Sequence, residues 1–165
     1  MDKITQETMF SSKSNEWETP PDFYERLNKK FMFDLDPCCT ELSAKCDKFF
    51  TADDNGLEQD WSGHRVFMNP PYGRKISNWI EKAYKEGSKV GTTVVCLIPA
   101  RTDTKYWHKH CMKANEIYFV KGRLKFGGKD KTNSAPFPSA VVVFRGPPVA
   151  GMAREAVRVS TMENK

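Results

Sequence analysis

Apolar residues along this chain follow two patterns. In "ETPPDFYERLNKKF", Phe23, Tyr24 and Leu27 recur at helical spacing. Thr19 fits as the N-cap, Pro20 and Pro21 fit the first turn, and Asp22 suits the positive end. In "GRKISNWIEKAYKEG", Ile76, Trp79, Ile80 and Ala83 share one face of a second helix, which Gly87 stops. "TDTKYWHKHCMKA" predicts a third, capped by Thr102 or Asp103. The other pattern is the short continuous apolar run. "FMFDLDPCC" (31–39) closes at Asp36-Pro37, "RVFMNPPY" ends at Asn69, and "TTVVCLIPA" ends at Pro99. "EIYFVKGRLKF" and "SAVVVFRG" follow. Runs of this kind predict strands, and the β-branched "TTVVCLIPA" fits a buried central one. A short helix is open near Glu41–Cys46.

Strands and helices therefore alternate, which predicts an α/β fold: a mostly parallel sheet with right-handed crossovers. The last two strands lack an intervening helix and read as an antiparallel hairpin at one edge. The organisation read from the chain is a polar arm (1–16), one domain (17–146) and a frayed or helical tail (147–165). A length of 165 residues suits a single domain. The net charge of +5 permits a polyanionic partner without requiring one. Five cysteines, with His64, His108 and His110, show no paired ligand spacing, so no metal site is expected. The thiols read as reduced and partly buried, as in a cytoplasm. No apolar run approaches the roughly 20 residues of a membrane span, and "MDKITQETMF" lacks a signal-peptide pattern. The reading is a cytoplasmic protein without a membrane partner. Oligomeric state leaves no signature.

In an open α/β sheet, ligands sit beyond the carboxyl ends of the strands. Asp36, Asn69 and Pro99 all stand at such ends. The run "NPPY" (Asn69, Pro70, Pro71, Tyr72) is stiff, because proline fixes φ and removes the N–H. Its chemistry suits an amine conjugated to an aromatic ring. Such a nitrogen is a poor nucleophile, because its lone pair is delocalised. Two fixed acceptors facing its two N–H groups shift it toward a tetrahedral shape and free the pair. The Asn69 side-chain oxygen and the Pro70 carbonyl can be those acceptors. Tyr72 offers a ring face, and base stacking on such a face is worth about 1–3 kcal/mol. That matches the few kcal/mol needed to extract a base from a duplex.

The motifs "WETPPDFY", "FDLDPCC", "DWSGHRVFMNPPY", "LIPARTDTKYWH", "GRLKFGG" and "APFPSAVVVF" occur in that order. Together they resemble the compact DNA N6-adenine methyltransferases of bacteriophages and prophages, over about residues 17–145. The resemblance implies a Rossmann-like methyltransferase sheet that uses S-adenosylmethionine and takes a flipped adenine from duplex DNA. It implies that Asn69, Pro70, Pro71 and Tyr72 hold the adenine. It puts Asp36, Pro37 and Cys38 at the cofactor, with Thr19 and Pro20 at its methionine end. Asp53 or Asp54 would face the cofactor adenine, with Asp60 as a rival. Cys38-Cys39-Thr40 stands where related methyltransferases carry a glycine-rich turn.

Arg101 is open between a surface pair with Asp103 and a place facing the crevice or a phosphate. The loop 127–138, with Lys129 and Lys131, has the composition of a solvated flexible loop, and a mobile clamp over DNA is the sharper alternative. Arg123 and Lys125 would grip phosphates, and Phe126 or Phe137 would touch the flipped base. Trp79, Trp107, Phe119 and Phe144 read as core. "NPPY" also occurs in RNA and protein-glutamine methyltransferases, which keeps those substrates as alternatives. A DNA-binding module without catalysis is a third.

Overall fold

The computed structural model describes residues 17–127, 134–148 and 157–164. The arm 1–16 and the lysines Lys129 and Lys131 lie outside the described residues. The first helix, α1, spans Pro21–Phe31, with Phe23, Tyr24, Leu27 and Phe31 as its buried face. Its N-cap is Pro20, not Thr19, and no side chain caps it. Two prolines already suit an N-terminus with N–H groups to spare. Met32 ends the helix in the left-handed region (φ 55°).

The run read as one strand over 31–39 is thus split. Phe31 closes α1, and only Leu35–Asp36 forms β1. Residues 41–43 form a turn, not a helix. A strand without sequence signal, β2 (Lys48–Phe49), follows. Then come β3 (Arg65–Met68), α2 (Ile76–Glu86), β4 (Thr93–Pro99), α3 (Lys105–Lys109), β5 (Glu116–Lys121), β6 (Ser139–Arg145) and β7 (Arg158–Glu163). The third helix is shorter than its sequence suggests. The Thr104 hydroxyl, not Thr102 or Asp103, caps it by accepting from the Trp107 N–H.

The seven strands form one sheet in the order β2-β1-β3-β4-β6-β5-β7. Only β6 runs against the others, pairing antiparallel with both β4 and β5. The predicted hairpin exists but does not lie at the edge. β7 closes that side, parallel to β5 over six residue pairs. The expected helical or frayed ending is therefore a strand over Arg158–Glu163. A buried carboxylate fastens it: Glu116 accepts from Arg145 at 3.1 Å and from Arg158 of β7 at 3.3 Å.

Register shows how the layers stack. Val66 pairs with Val94, which pairs with Phe144. Phe144 meets Tyr84 of α2 edge-on. Phe67 points to the other face, as alternation demands, and meets Tyr24 of α1 at 5.1 Å. So α1 and α2 cover opposite faces, and β3, β4 and β6 are buried between them. Trp107 and Phe144 are core as expected, but Phe119 is exposed and Trp79 is only partly buried. Glu86 takes the buried place on α2 instead, neutralised by Lys82 and Lys89.

The chain runs outward from β1 to β2, then returns past β1 to β3 and on to β4. The sheet's direction of growth reverses between β1 and β3. Crossovers on the two sides of such a point diverge and leave a crevice at the carboxyl ends. That crevice holds the candidate site.

Candidate active site

A cleft of about 560 Å³ opens at the ends of β1 and β3. Thr19, Asp36, Pro37, Cys38, Asp53, Asn69, Pro70 and Pro71 line it, so half of the site residues singled out from sequence meet here. Its size is within the range of small-molecule sites. Four acids (Glu18, Asp36, Glu41 and Asp53) and two cations (Lys45 and Lys75) lie on its wall.

Asn69 follows the last residue of β3, and its side chain is fixed by the chain's first described segment. Its Nδ2 donates to the Trp17 carbonyl at 2.5 Å and to Thr19 Oγ1 at 2.9 Å. A backbone carbonyl can only accept, so this pair decides which end of the amide is which. The other end, Oδ1, is buried and has no partner among the described residues. An unpaired buried acceptor is costly, and native structures rarely keep one without use. Among the described residues nothing donates to the Pro70 carbonyl either. Thr19 was expected at the cofactor. It does line the cleft, but its hydroxyl is engaged by Asn69.

Tyr72 is 6% exposed, and its hydroxyl donates to the Leu97 carbonyl at 3.2 Å. Burial pushes its phenol well above the ordinary range, so it stays neutral. Its ring is not on the cleft wall. Trp17 stacks over it with centroids 6.4 Å apart and planes 19° apart. Phe126 and Phe137 meet Tyr72 edge-on at 6.2 and 5.5 Å. The aromatics picked from sequence thus assemble, together with one that was not picked.

Asp36 is 4% exposed, and its carboxylate accepts from the Lys45 N–H at 3.0 Å and the Cys38 N–H at 3.4 Å. Burial raises its pKa and outweighs these hydrogen bonds, which lower it. Asp36 therefore anchors the loop after β1 while facing the cleft. Burial likewise pushes the Cys38 thiol up, leaving it unreactive. No glycine-rich turn follows β1. Close packing there comes from the opposite wall: a Cβ on Gly56 would lie 2.0 Å from the Pro37 carbonyl oxygen. Trp61 Nε1 donates to the Gly56 carbonyl at 3.0 Å and holds the residue there.

The acidic candidates separate cleanly. Asp53 lines the cleft. Asp54 does not; its carboxylate accepts from the Thr51 N–H and hydroxyl in a local turn. Asp60 is 74% exposed, pairs with Lys89, and lies off the cleft wall. Arg101 is exposed beyond β4 and also off that wall. Arg123 and Lys125 line a second cleft of about 570 Å³, with Arg26, Lys29 and Pro20. It flanks the segment 17–19 on its α1 side. Sequence reasoning passed over Trp17 and Gly56, and read Trp79, which lines the cleft, as core. Trp17 carried a signal, an aromatic two residues before Thr19, whereas Gly56 looked like any turn glycine.

Among the described residues no helix is long and apolar enough to cross a membrane, and no group of three or more His, Cys, Asp or Glu could hold a metal ion. The cleft does fit S-adenosylmethionine. Its acids and cations suit a zwitterionic sulfonium amino acid.

Comparison with known proteins gives the same answer. Residues 6–163 match the family model described as DNA N-6-adenine-methyltransferase (Dam). A DNA N-6-adenine-methyltransferase of Haemophilus phage HP1 is 29% identical over 147 residues, covering 86% of this chain and 84% of its own. One from Escherichia phage T1 is 27% identical over 110 residues, covering 66% of this chain and 45% of that protein. A solved Listeria monocytogenes structure, assigned to the class I S-adenosylmethionine-dependent methyltransferases, superposes with a TM-score of 0.56 at 11% identity. It covers 87% of this chain and 65% of that one, and shows the fold. The chain belongs to the DNA N-6-adenine-methyltransferase (Dam) family, enzymes that take their methyl group from S-adenosylmethionine.

Proposed function

We propose that this enzyme extrudes an adenine from duplex DNA and holds its N6 amine against the Asn69 side-chain oxygen and the Pro70 carbonyl. The observation that carries this is the buried, unpartnered Oδ1 of Asn69, with the amide's other end tied to Trp17 and Thr19. Both N–H groups of the amine then face acceptors, and its lone pair turns away from the ring. S-adenosylmethionine supplies an electrophilic methyl group when bound. Pro37, Cys38 and Asp53 line its place, and Asp36 anchors the loop that shapes it. Tyr72 stacks on the adenine, and Phe126 and Phe137 hold Tyr72 edge-on. The positive charge that develops on N6 is stabilised by the two oxygens, which are already oriented and lose nothing by reorganising. The extra proton leaves to solvent.

Arg123 and Lys125 grip DNA phosphates in the second cleft, where Arg26 and Lys29 add positive charge that Asp22 and Glu25 offset in part. Such contacts give affinity and register without sequence choice. A DNA substrate and a phage relative support work in a cytoplasm, the host cell's if the protein is phage-encoded.

The test is methyl transfer from labelled S-adenosylmethionine to unmethylated DNA, RNA and protein. Wild-type protein labels DNA at adenine N6. Asn69→Ala loses about 10²- to 10³-fold in kcat, the usual cost of one transition-state-stabilising partner, while its circular dichroism is unchanged. Near-normal turnover in that variant rules out the amide's role.

A further inference from the structure

The place on Tyr72 where an adenine is read to stack is already filled. The Trp17 indole lies nearly parallel to the Tyr72 ring. Phe137 and Phe126 stand edge-on to the indole at 5.0 and 5.7 Å, as they do to Tyr72. The cleft wall includes Trp17 and Asn69 but not Tyr72, Phe126 or Phe137. A base entering through the cleft therefore meets the indole before it meets the phenol ring.

We propose that Trp17 is a resident plug of the target-base site: its indole covers Tyr72 when no DNA is bound, and the extruded adenine displaces it. The proposal rests on the reading that Tyr72 takes the base. The backbone here suits a side chain that moves while its main chain stays. Glu18 and Gly127 exchange two backbone hydrogen bonds, at 2.8 and 3.3 Å. The Trp17 carbonyl and the Thr19 hydroxyl hold Asn69. Rotation about the Trp17 side-chain torsions removes the indole and breaks none of these. The Asn69 oxygen keeps its orientation through the exchange. One aromatic face leaves Tyr72 as another arrives, so the apolar cluster of Tyr72, Phe126 and Phe137 is never bare to water. Stacking of a base and stacking of an indole are of similar size, which makes the exchange reversible. The plug competes with the substrate, and a site mostly occupied by its own side chain binds with reduced apparent affinity.

The experiment compares wild-type, Trp17→Ala and Trp17→Phe protein on unmethylated genomic DNA with labelled S-adenosylmethionine. Trp17→Ala keeps the backbone carbonyl that Asn69 uses. Its KM for DNA should fall by roughly tenfold, as expected when a competitor filling nine-tenths of sites is removed. A KM that is unchanged or raised overturns the proposal. A second readout does not need the alanine variant to fold. The emission of wild-type protein minus that of Trp17→Phe isolates Trp17. Acrylamide should quench this difference signal more strongly once DNA and the methyl donor's demethylated product are bound. Unchanged or reduced quenching overturns the plug. Tyr72→Leu separates the two ideas. If it keeps wild-type kinetics, the stacking reading falls and the plug with it. If it is crippled while Trp17→Ala gains nothing, only the plug falls.

Discussion

Thr19→Val tests how the Asn69 amide, proposed to hold the substrate amine, is aimed. Valine keeps the shape of threonine and removes only the hydroxyl, at a residue that is 3% exposed. The lost contact is one hydrogen bond of 2.9 Å, from Asn69 Nδ2. The second, to the Trp17 carbonyl, remains. A buried hydrogen bond of this kind contributes about 0.5–1.5 kcal/mol net. If all of it serves to orient Oδ1 for the transition state, kcat falls about 2- to 13-fold. The KM for S-adenosylmethionine should stay the same. The assay is steady-state methyl transfer at varied cofactor, with Asn69→Ala and the double variant completing a cycle. Once the Asn69 amide is gone, there is nothing left for Thr19 to orient. The double variant should then be no slower than Asn69→Ala alone, a strongly non-additive result. Two results refute the reasoning. A raised cofactor KM with unchanged kcat means that Thr19 serves the methionine end of the cofactor, as the family resemblance implies. Additive losses mean that the two residues act separately.

Gly56→Ala drives a methyl group to 2.0 Å from the Pro37 carbonyl oxygen, with backbone on both sides of the clash. The walls must part, at an overpacking cost of about 1–3 kcal/mol. A lower melting temperature and a raised cofactor KM should appear together, and an unchanged melt with unchanged KM contradicts the packing. The Glu116 carboxyl is opposed by burial, yet hydrogen bonds from Tyr118 and Arg145 and the charges of Arg145 and Lys30 hold it below the usual carboxylate range. Its contribution to stability is therefore full above the ordinary glutamate value of about 4.3 and is lost as pH falls through the lower folded value. Denaturant melts between pH 3 and 6 should show less acid-side loss in Glu116→Gln than in wild type; equal loss removes Glu116 from the account. DNA affinity should fall linearly in log–log against salt, and Arg123→Ala and Lys125→Ala should each lower the slope by about 1. A slope that neither variant alters places the phosphates elsewhere.

The strands most legible in the sequence were those that needed no partner to declare themselves. β4 and β6 are seven-residue apolar runs that pair with each other along their whole length. β1 and β2 have two residues each, and their apolar signal merges with neighbouring loops. β7 was invisible for another reason. Its residues are mostly exposed, so it has no hydrophobic period. The open edge of β5 and the pull of Glu116 on Arg158 decide its state, and neither is local. In the site, the place of Asn69, Pro70 and Pro71 on the cleft wall was legible because adjacent residues at one strand end carry it. That of Trp17 was not, because its meaning depends on Asn69, fifty-two positions away. The acidic residues show the limit from the other side: three similar carboxylates could not be ranked until Thr51 and Lys89 were seen to engage two of them.

The reversed strand β6 has a consequence for biosynthesis. During translation, β1 through β4 emerge well before Ser139–Arg145, and until then β4 has an edge of seven residues with no neighbour on that side. Six of those seven are buried in the finished fold. A nascent or truncated polypeptide that stops short of residue 139 would expose a flat, sticky ladder of main-chain groups, the kind of surface that recruits a second chain. Ribosome stalling or nonsense mutation in that interval should therefore yield inclusion bodies, not a soluble half-enzyme.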